Sequence, residues 1–117
     1  MRYVLGPVAD FAEGTHRVVR AGHAEIGIFN VHGQFYALPN VCPHQFGPLC
    51  TGTVSGTTRC NAETNWRFAW VRQGEILTCP WHGWEFDILT GRNVARPSIK
   101  VRTYPVTVEG GQVVVTI

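Results

Sequence analysis

The sequence predicts an all-β, antiparallel domain with two loops that carry its chemistry. Short runs rich in Val, Ile and Phe recur along the chain, as expected of strands about four to eight residues long. Seven prolines and thirteen glycines among 117 residues indicate frequent turns and few long helices. Two loops that contain both cysteine and histidine interrupt this pattern, and their composition is typical of neither a strand nor an ordinary turn.

Three strand-like runs lie in the first third of the chain. Residues His16 to Arg20 and Ala24 to Val31 are short and rich in Val, Ile and Phe. Gly33 then turns the chain, and Gln34 to Leu38 is the expected partner strand of a hairpin. We therefore expect these runs to pair as antiparallel neighbours.

The C-terminal end repeats the hairpin pattern more clearly. Residues Lys100 to Val108 alternate well, residues 109–112 form a glycine-rich turn, and Val113 to Ile117 is almost purely β-branched. A further turn at residues 90–92 follows the run Glu85 to Leu89. The segment 50–73 is polar and glycine-rich at first and then aromatic; its later half is predicted as either a strand or one helical turn.

Composition narrows the class of protein. The length fits a single domain, residues 1–117, and the 44% hydrophobic and 15% charged fractions are globular values. The net charge of +2 is too small to indicate nucleic acid or an anionic membrane as a partner. No run approaches the roughly 18 apolar residues of a membrane span, and no signal-peptide order is present, so a cytoplasmic location is expected. Four cysteines in a reducing compartment favour metal or redox chemistry over disulfides.

The two unusual loops have matching patterns of metal-binding residues. The first contains Cys42-Pro43-His44 and the second Cys79-Pro80-Trp81-His82. Two thiolates and two imidazoles are able to hold one tetrahedral zinc, although zinc motifs usually place both cysteines in one knuckle and both histidines in another. The mixed order, with one cysteine and one histidine in each loop, suits a two-iron centre better, because two histidines replace two cysteines on one iron of a Rieske cluster.

On these loops, and on the closing run YPVTVEGGQVVVTI, the chain resembles the small stand-alone Rieske [2Fe–2S] ferredoxins over nearly its whole length. The resemblance implies an antiparallel Rieske-type β-sandwich and one [2Fe–2S] cluster. It implies that Cys42 and Cys79 bind the inner iron and that His44 and His82 bind the outer, more exposed iron. The residues expected around these ligands are Gln45, Gly47, Trp81, Gly83 and Trp84.

The residues around the ligands also predict a low reduction potential. In the Rieske proteins of respiratory complexes, the two cluster-binding loops have the motifs C-x-H-x-x-C and C-P-C-H-G-S-x-Y. The extra cysteine of each motif takes part in a disulfide between the loops, and the Ser and Tyr hydroxyls favour the reduced state. Here Gly47 and Trp81 stand at the disulfide positions, and Trp84 and Phe86 stand at the hydroxyl positions. We therefore expect a midpoint near the bottom of the Rieske range of roughly −150 to +300 mV. Phe86 itself is expected to open a core strand.

The resemblance implies an electron carrier and not an enzyme in its own right. It would take one electron from a reductase and pass it to a terminal, ring-hydroxylating oxygenase through the imidazoles of His44 and His82. Alternatives are the small subunit of a nitrite-reductase-like enzyme and, from another class, a structural module that binds zinc. No motif for nucleic acid or membrane accompanies the two loops.

Some residues depart from the family pattern. Thirty-four residues separate His44 from Cys79, about twice the spacing of compact Rieske ferredoxins, so residues at about 50–73 are predicted to be an insertion. Cys50 and Cys60 match no ligand position; buried free thiols are favoured over a local disulfide or an extra metal site. The other histidines, His16, His23 and His32, are expected to be surface side chains.

Overall fold

The computed structural model describes all 117 residues and confirms the all-β, antiparallel class. Its helices are three single 3-10 turns of three residues each, and none has the length or apolar character needed to cross a membrane. The strands are β1 (Arg2–Pro7), β2 (His16–Ala21), β3 (Ala24–Val31), β4 (Gln34–Pro39), β5 (Thr53–Arg59), β6 (Ala69–Thr78), β7 (Glu85–Asp87), β8 (Val106–Glu109) and β9 (Gln112–Thr116).

The strands form three antiparallel sheets of three strands each, in the orders β1-β9-β8, β2-β3-β4 and β5-β6-β7. The predicted hairpin of β3 and β4 is confirmed: Val31 pairs with Gln34, and His32 and Gly33 both have positive φ angles (52° and 88°), as a tight hairpin turn requires. The predicted C-terminal hairpin is also present, with Glu109 paired to Gln112.

The prediction of one continuous strand from Lys100 to Val108 is wrong over its first half. Strand β8 begins only at Val106, and the preceding residues make isolated bridges, Lys100 with Arg92 and Tyr104 with Ala37. Pro105 lacks a backbone N–H, which prevents regular pairing at that point although the side chains alternate as in a strand.

The segment 50–73 forms most of a long, bent hairpin. Its polar first half becomes β5, and the aromatic second half leads into β6. Ser55 pairs with Ile76 and Thr57 with Val71, so four residues of β6, numbers 72–75, stand opposite Gly56 alone. We refer to the part beyond this bulge, residues 57–71, as the outer hairpin. That the segment is an insertion stays a prediction.

Side chains of β7 anchor the bent hairpin. The guanidinium of Arg72 donates two hydrogen bonds to the carboxylate of Asp87, at 2.8 and 3.1 Å, and a third to Glu75 at 2.8 Å. The Thr57 hydroxyl donates to Glu85 at 2.7 Å. The hydrogen bonds to Asp87 are the largest cause that raises the pKa of Arg72. The outer hairpin is therefore held to the strand that directly follows the second Cys/His loop.

The core has two parts, and the larger one lies beneath both Cys/His loops. Besides Cys42 and Cys79, this part buries side chains from β3, β4, β6 and β7, namely Phe29, Val31, Leu38, Leu77 and Phe86, together with Leu49, Cys50, Ile88 and Val101. The second part centres on Phe11, Ile26, Ile28, Val113 and Val115. Each loop is thus fixed at its cysteine by the packing of two sheets.

Candidate metal centre

The first loop follows β4 and folds back on itself through two backbone hydrogen bonds. The N–H of Cys42 donates to the carbonyl of Gly47 at 2.8 Å, and the N–H of Phe46 donates to the carbonyl of Cys42 at 2.8 Å. Phe46 has a φ of +60°, a region that bulky residues seldom adopt. This backbone turns the loop tightly enough to bring Cys42 and His44 to the same end of the domain.

The second loop begins directly after β6 and has the same construction. The N–H of Cys79 donates to the carbonyl of Trp84 at 2.8 Å. His82 and Gly83 both have positive φ angles, 70° and 72°. A non-glycine residue in this conformation is uncommon, so the loop holds His82 in a sparsely populated backbone state.

The two cysteine thiols form a buried pair. Cys42 and Cys79 are each only 1% exposed, and both are free. Burial raises the pKa of the Cys42 thiol, backbone hydrogen bonds from His44 and Gln45 oppose that increase, and the neighbouring Cys79 thiol adds to it. Iron–sulfur clusters bind cysteine as thiolate. Backbone donors that already lie at the sulfur are suited to stabilise that charged form.

The two imidazoles form a second pair closer to the surface. The ring centroids of His44 and His82 lie 4.8 Å apart with the planes at 81°. His44 is half-buried and its Nδ1 atom is buried without any hydrogen-bond partner, whereas His82 is exposed. A buried ring nitrogen without a partner is costly, and a bond to a metal ion would satisfy it.

The four donors therefore lie as thiol beside thiol and imidazole beside imidazole. No group of three His, Cys, Asp or Glu side chains in the chain converges to hold one metal ion. Two pairs of donors match the needs of a two-iron centre, in which each iron takes two protein ligands and shares two sulfides. The residues present thus fit a [2Fe–2S] cluster.

Aromatic side chains surround this donor set. The Trp84 ring stacks on the His44 ring with centroids 4.2 Å apart and the planes 15° from parallel. Phe86 is fully buried in the core, as expected, with its ring 6.4 Å from Trp84. Gln45 and Gly83 lie exposed at the tips of the two loops. Of these residues, Trp84 contacts a predicted ligand through its side chain, and Gln45 does so through its backbone N–H.

Gly47 and Trp81 connect the two loops. A Cβ atom placed on Gly47 would lie 2.6 Å from Cδ2 and 2.7 Å from Cγ of Trp81. The indole therefore packs directly on the backbone of the first loop, in space that a larger residue at position 47 would occupy. The sequence predicts both residues to lie around the ligands, but it does not predict their contact with each other.

Two further residues near the site were not predicted to act there. The amide of buried Asn40 accepts a hydrogen bond from the N–H of Cys50 at 2.7 Å and donates one to Glu25 at 2.6 Å. The Cys50 sulfur packs so closely on β3 that a Cβ on Gly27 would lie 2.6 Å from it. Together they fix both ends of the first loop. The sequence feature that could have indicated this role is Asn40 at the start of the first loop, but asparagine is also common in ordinary turns.

The remaining cysteines and histidines divide between burial and exposure. Cys50 is a buried free thiol, as expected, whereas Cys60 is free but exposed, so that its expected burial is wrong. His23 and His32 lie on the surface, as expected. His16 does not: its ring is half-buried and stacks on Phe29, with centroids 5.2 Å apart, because β2 lies directly beside β3.

Comparison with known families matches residues 1–105 to the Rieske [2Fe-2S] domain. Ferredoxin CarAc of Metapseudomonas resinovorans is 29% identical over 92% of this chain and 85% of its own length. The ferredoxin component of the p-cumate 2,3-dioxygenase system of Pseudomonas putida is 34% identical over 92% of this chain and 79% of its own length.

Solved structures show the same fold. The ferredoxin of carbazole 1,9a-dioxygenase from Nocardioides aromaticivorans superimposes with a TM-score of 0.73 at 23% identity, over 98% of this chain and 96% of that one. A chain from the complex of reduced oxygenase and oxidized ferredoxin in carbazole 1,9a-dioxygenase gives 0.74 at 26% identity, over 98% and 92%. The chain therefore belongs to the Rieske [2Fe–2S] domain family, and it is a ferredoxin-type electron carrier with one such cluster.

Proposed function

We propose that this protein carries single electrons from a reductase to a terminal, ring-hydroxylating oxygenase. The observation that carries this proposal is the difference in burial within the donor set. The thiols of Cys42 and Cys79 are 1% exposed, whereas His82 lies at the surface. A partner protein therefore approaches a cluster in this site from the imidazole side.

In this proposal Cys42 and Cys79 bind the inner iron, and His44 and His82 bind the outer iron. The support is the pairing of thiol with thiol and imidazole with imidazole, together with the unsatisfied Nδ1 atom of His44. When bound, the cluster supplies reversible one-electron chemistry. The protein residues hold it, shield its sulfides and leave one imidazole edge accessible.

The partners follow from the relatives. Several are named as ferredoxin components of dioxygenase systems, and one solved structure contains a ferredoxin together with its oxygenase. The contact is expected to be small and short-lived, since electron transfer needs close approach and not a stable complex. A cytoplasmic location is part of the proposal, supported by four thiols that are all free.

Spectroscopy of the reduced protein tests the ligand set. We expect uptake of one electron per chain and a rhombic signal whose average g-value is below that of all-cysteine clusters. His82→Cys should shift the signal or abolish the cluster, and His23→Cys, on an exposed histidine in the turn between β2 and β3, is the matched control. An unaltered signal in His82→Ala would show that the ligand assignment is wrong. A colourless protein that contains one zinc ion would contradict the assignment of an iron–sulfur cluster.

Reconstitution tests the partners. The protein is added to the reductase and oxygenase of a ring-hydroxylating system from which the native ferredoxin has been omitted, and product is measured. Hydroxylation that depends on the added protein supports the proposal. A protein that takes up its electron but returns none to any oxygenase of this class would contradict it.

A further inference from the structure

The two loops that carry the predicted ligands contain no formally charged residue. Residues 40–48 and 79–84 include no Asp, Glu, Lys or Arg, although the chain has eighteen such residues. We refer to the exposed side chains of the two loops as the loop face; it consists of Val41, Pro43, Gln45, Phe46, Pro80, Trp81 and His82. A partner that covers the loop face therefore contacts an uncharged and largely apolar surface, while Glu85 and Arg96 line a cavity with Gly83 and Trp84 at its margin.

Phe46 is the most exposed of the large hydrophobic side chains on this face. It is 77% exposed and belongs to neither part of the core. Its backbone has a φ of +60° and is held there by its own hydrogen bond to the carbonyl of Cys42. A bulky residue in this conformation persists where the surrounding backbone dictates it. The loop thus presents an aromatic ring to solvent two positions after His44.

Trp81 presents a second aromatic surface directly before His82. It is 48% exposed, and its inner side packs on Gly47. Because the indole is braced by backbone, little side-chain freedom is lost when a partner covers it. Large, rigid aromatic side chains are the residues that most often dominate the binding energy of an interface.

We propose that the loop face docks into an apolar, uncharged recess on the terminal oxygenase, with Phe46 as the anchor. This inference rests on the proposed function, since it names the surface through which that function acts. The oxygenase is favoured as occupant because the face surrounds the imidazole through which the electron must leave, and because a similar solved structure is a complex of a ferredoxin with an oxygenase. Burial of aromatic area, and not charge attraction, then drives association, so the complex forms with little dependence on salt.

Steady-state kinetics of the reconstituted system test this inference. The value of kcat/KM for this protein as electron donor is measured between about 10 mM and about 1 M salt, where the Debye length falls from roughly 30 to 3 Å. We expect a change of less than about threefold, whereas charge-steered pairs change by about tenfold or more. Phe46→Ala should lower kcat/KM by about tenfold or more through KM, and Phe46→Leu should retain most of it.

Phe68→Ala is the matched control, because Phe68 is equally aromatic and 83% exposed but lies on the outer hairpin. It should behave as the wild type. The spectrum and midpoint of Phe46→Ala should also be unchanged, which separates a docking defect from a damaged cluster.

A wild-type KM in Phe46→Ala, or a steep loss of activity with salt, overturns the docking inference while the electron-carrier role stands. Failure of the wild-type protein, with an intact cluster, to reduce the oxygenase at any salt concentration overturns the proposed function as well. The two failures are thereby distinguishable.

Discussion

Trp81 lies against the backbone of Gly47, so closely that a single methyl group on Gly47 would come within 2.6 Å of the indole. This contact joins the tips of two loops that otherwise belong to different sheets, since the first follows β4 and the second follows β6. Trp81 stands between Cys79 and His82, and Gly47 follows Cys42 and His44 by a few residues. The first two predictions test whether this contact holds the loops together.

Replacement of Gly47 by Ala should destabilise the protein by about 1–3 kcal/mol, the usual effect of inserting a methyl group into a packed site. The φ angle of Gly47 is not positive, so the penalty is steric and not conformational. Thermal unfolding and the rate of cluster loss measure it. In a Trp81→Ala background the same substitution should be nearly neutral; equal penalties in both backgrounds would contradict the contact.

A double replacement of Gly47 and Trp81 by cysteine should form a disulfide on oxidation. The Cβ of Trp81 lies within about 4.2 Å of a Cβ on Gly47, because the Cγ of Trp81 would lie 2.7 Å from that atom and a carbon–carbon bond adds about 1.5 Å. Disulfides span about 3.5–4.5 Å between Cβ atoms. We expect a mass lower by two hydrogens and a gain of up to about 3–4 kcal/mol in the cluster-free protein. The reduced double variant is the control, and a protein that stays reduced would refute the predicted spacing.

The two cysteines outside the donor set should differ in reactivity. Burial raises the pKa of the Cys50 thiol to about 12, whereas Cys60 is exposed. With the cluster bound, a thiol reagent should label one cysteine per chain, and Cys60→Ser should remove that label. The ordinary pKa of a cysteine thiol is 9.0. The contribution of Cys50 to the free energy of unfolding is therefore complete below pH 9.0, and it declines as the pH rises towards the raised pKa of about 12. Rapid labelling of Cys50 in folded protein would contradict its burial.

The reduction potential should be low, near the bottom of the Rieske range of roughly −150 to +300 mV. Trp84 stacks on His44 and Phe86 is buried beside both cysteines, so neither position supplies a hydroxyl donor. Phe86→Tyr should raise the midpoint by about 20–65 mV if its new hydroxyl forms one hydrogen bond to the ligand sulfur. Redox titration decides this, with Phe35→Tyr as a remote control. A wild-type midpoint well above 0 mV would contradict the assignment.

The sequence was most informative where local chemistry alone decides the structure. The hairpin of β3 and β4 was predicted because Gly33 lies between two short runs rich in Val, Ile, Phe and Tyr, and the structure has both strands within one residue of the expected bounds. The paired Cys/His loops were recognised because two soft donors recur beside proline in each of them. Their ligand roles stay predictions.

The features that the sequence did not predict depend on contacts between residues that are distant in the chain. Residues 53–59 are rich in Thr, Ser and Gly and were predicted as a polar, glycine-rich stretch, yet they form β5 because β6 offers a partner strand. The bulge opposite Gly56 depends on Arg72 reaching Asp87, fifteen residues away. The contact of Trp81 with Gly47 likewise joins residues that are distant in the chain.

The unequal burial of the thiol and imidazole pairs also limits how electrons pass through the protein. With one accessible side, reductase and oxygenase should compete for the same surface and should not bind at the same time. In each turnover the carrier then dissociates completely from one partner and diffuses to the other. The rate of electron transfer should therefore depend on the number of carrier molecules per oxygenase. An excess of either partner should slow the system by occupying the carrier, which makes the stoichiometry of the three proteins a controlling variable.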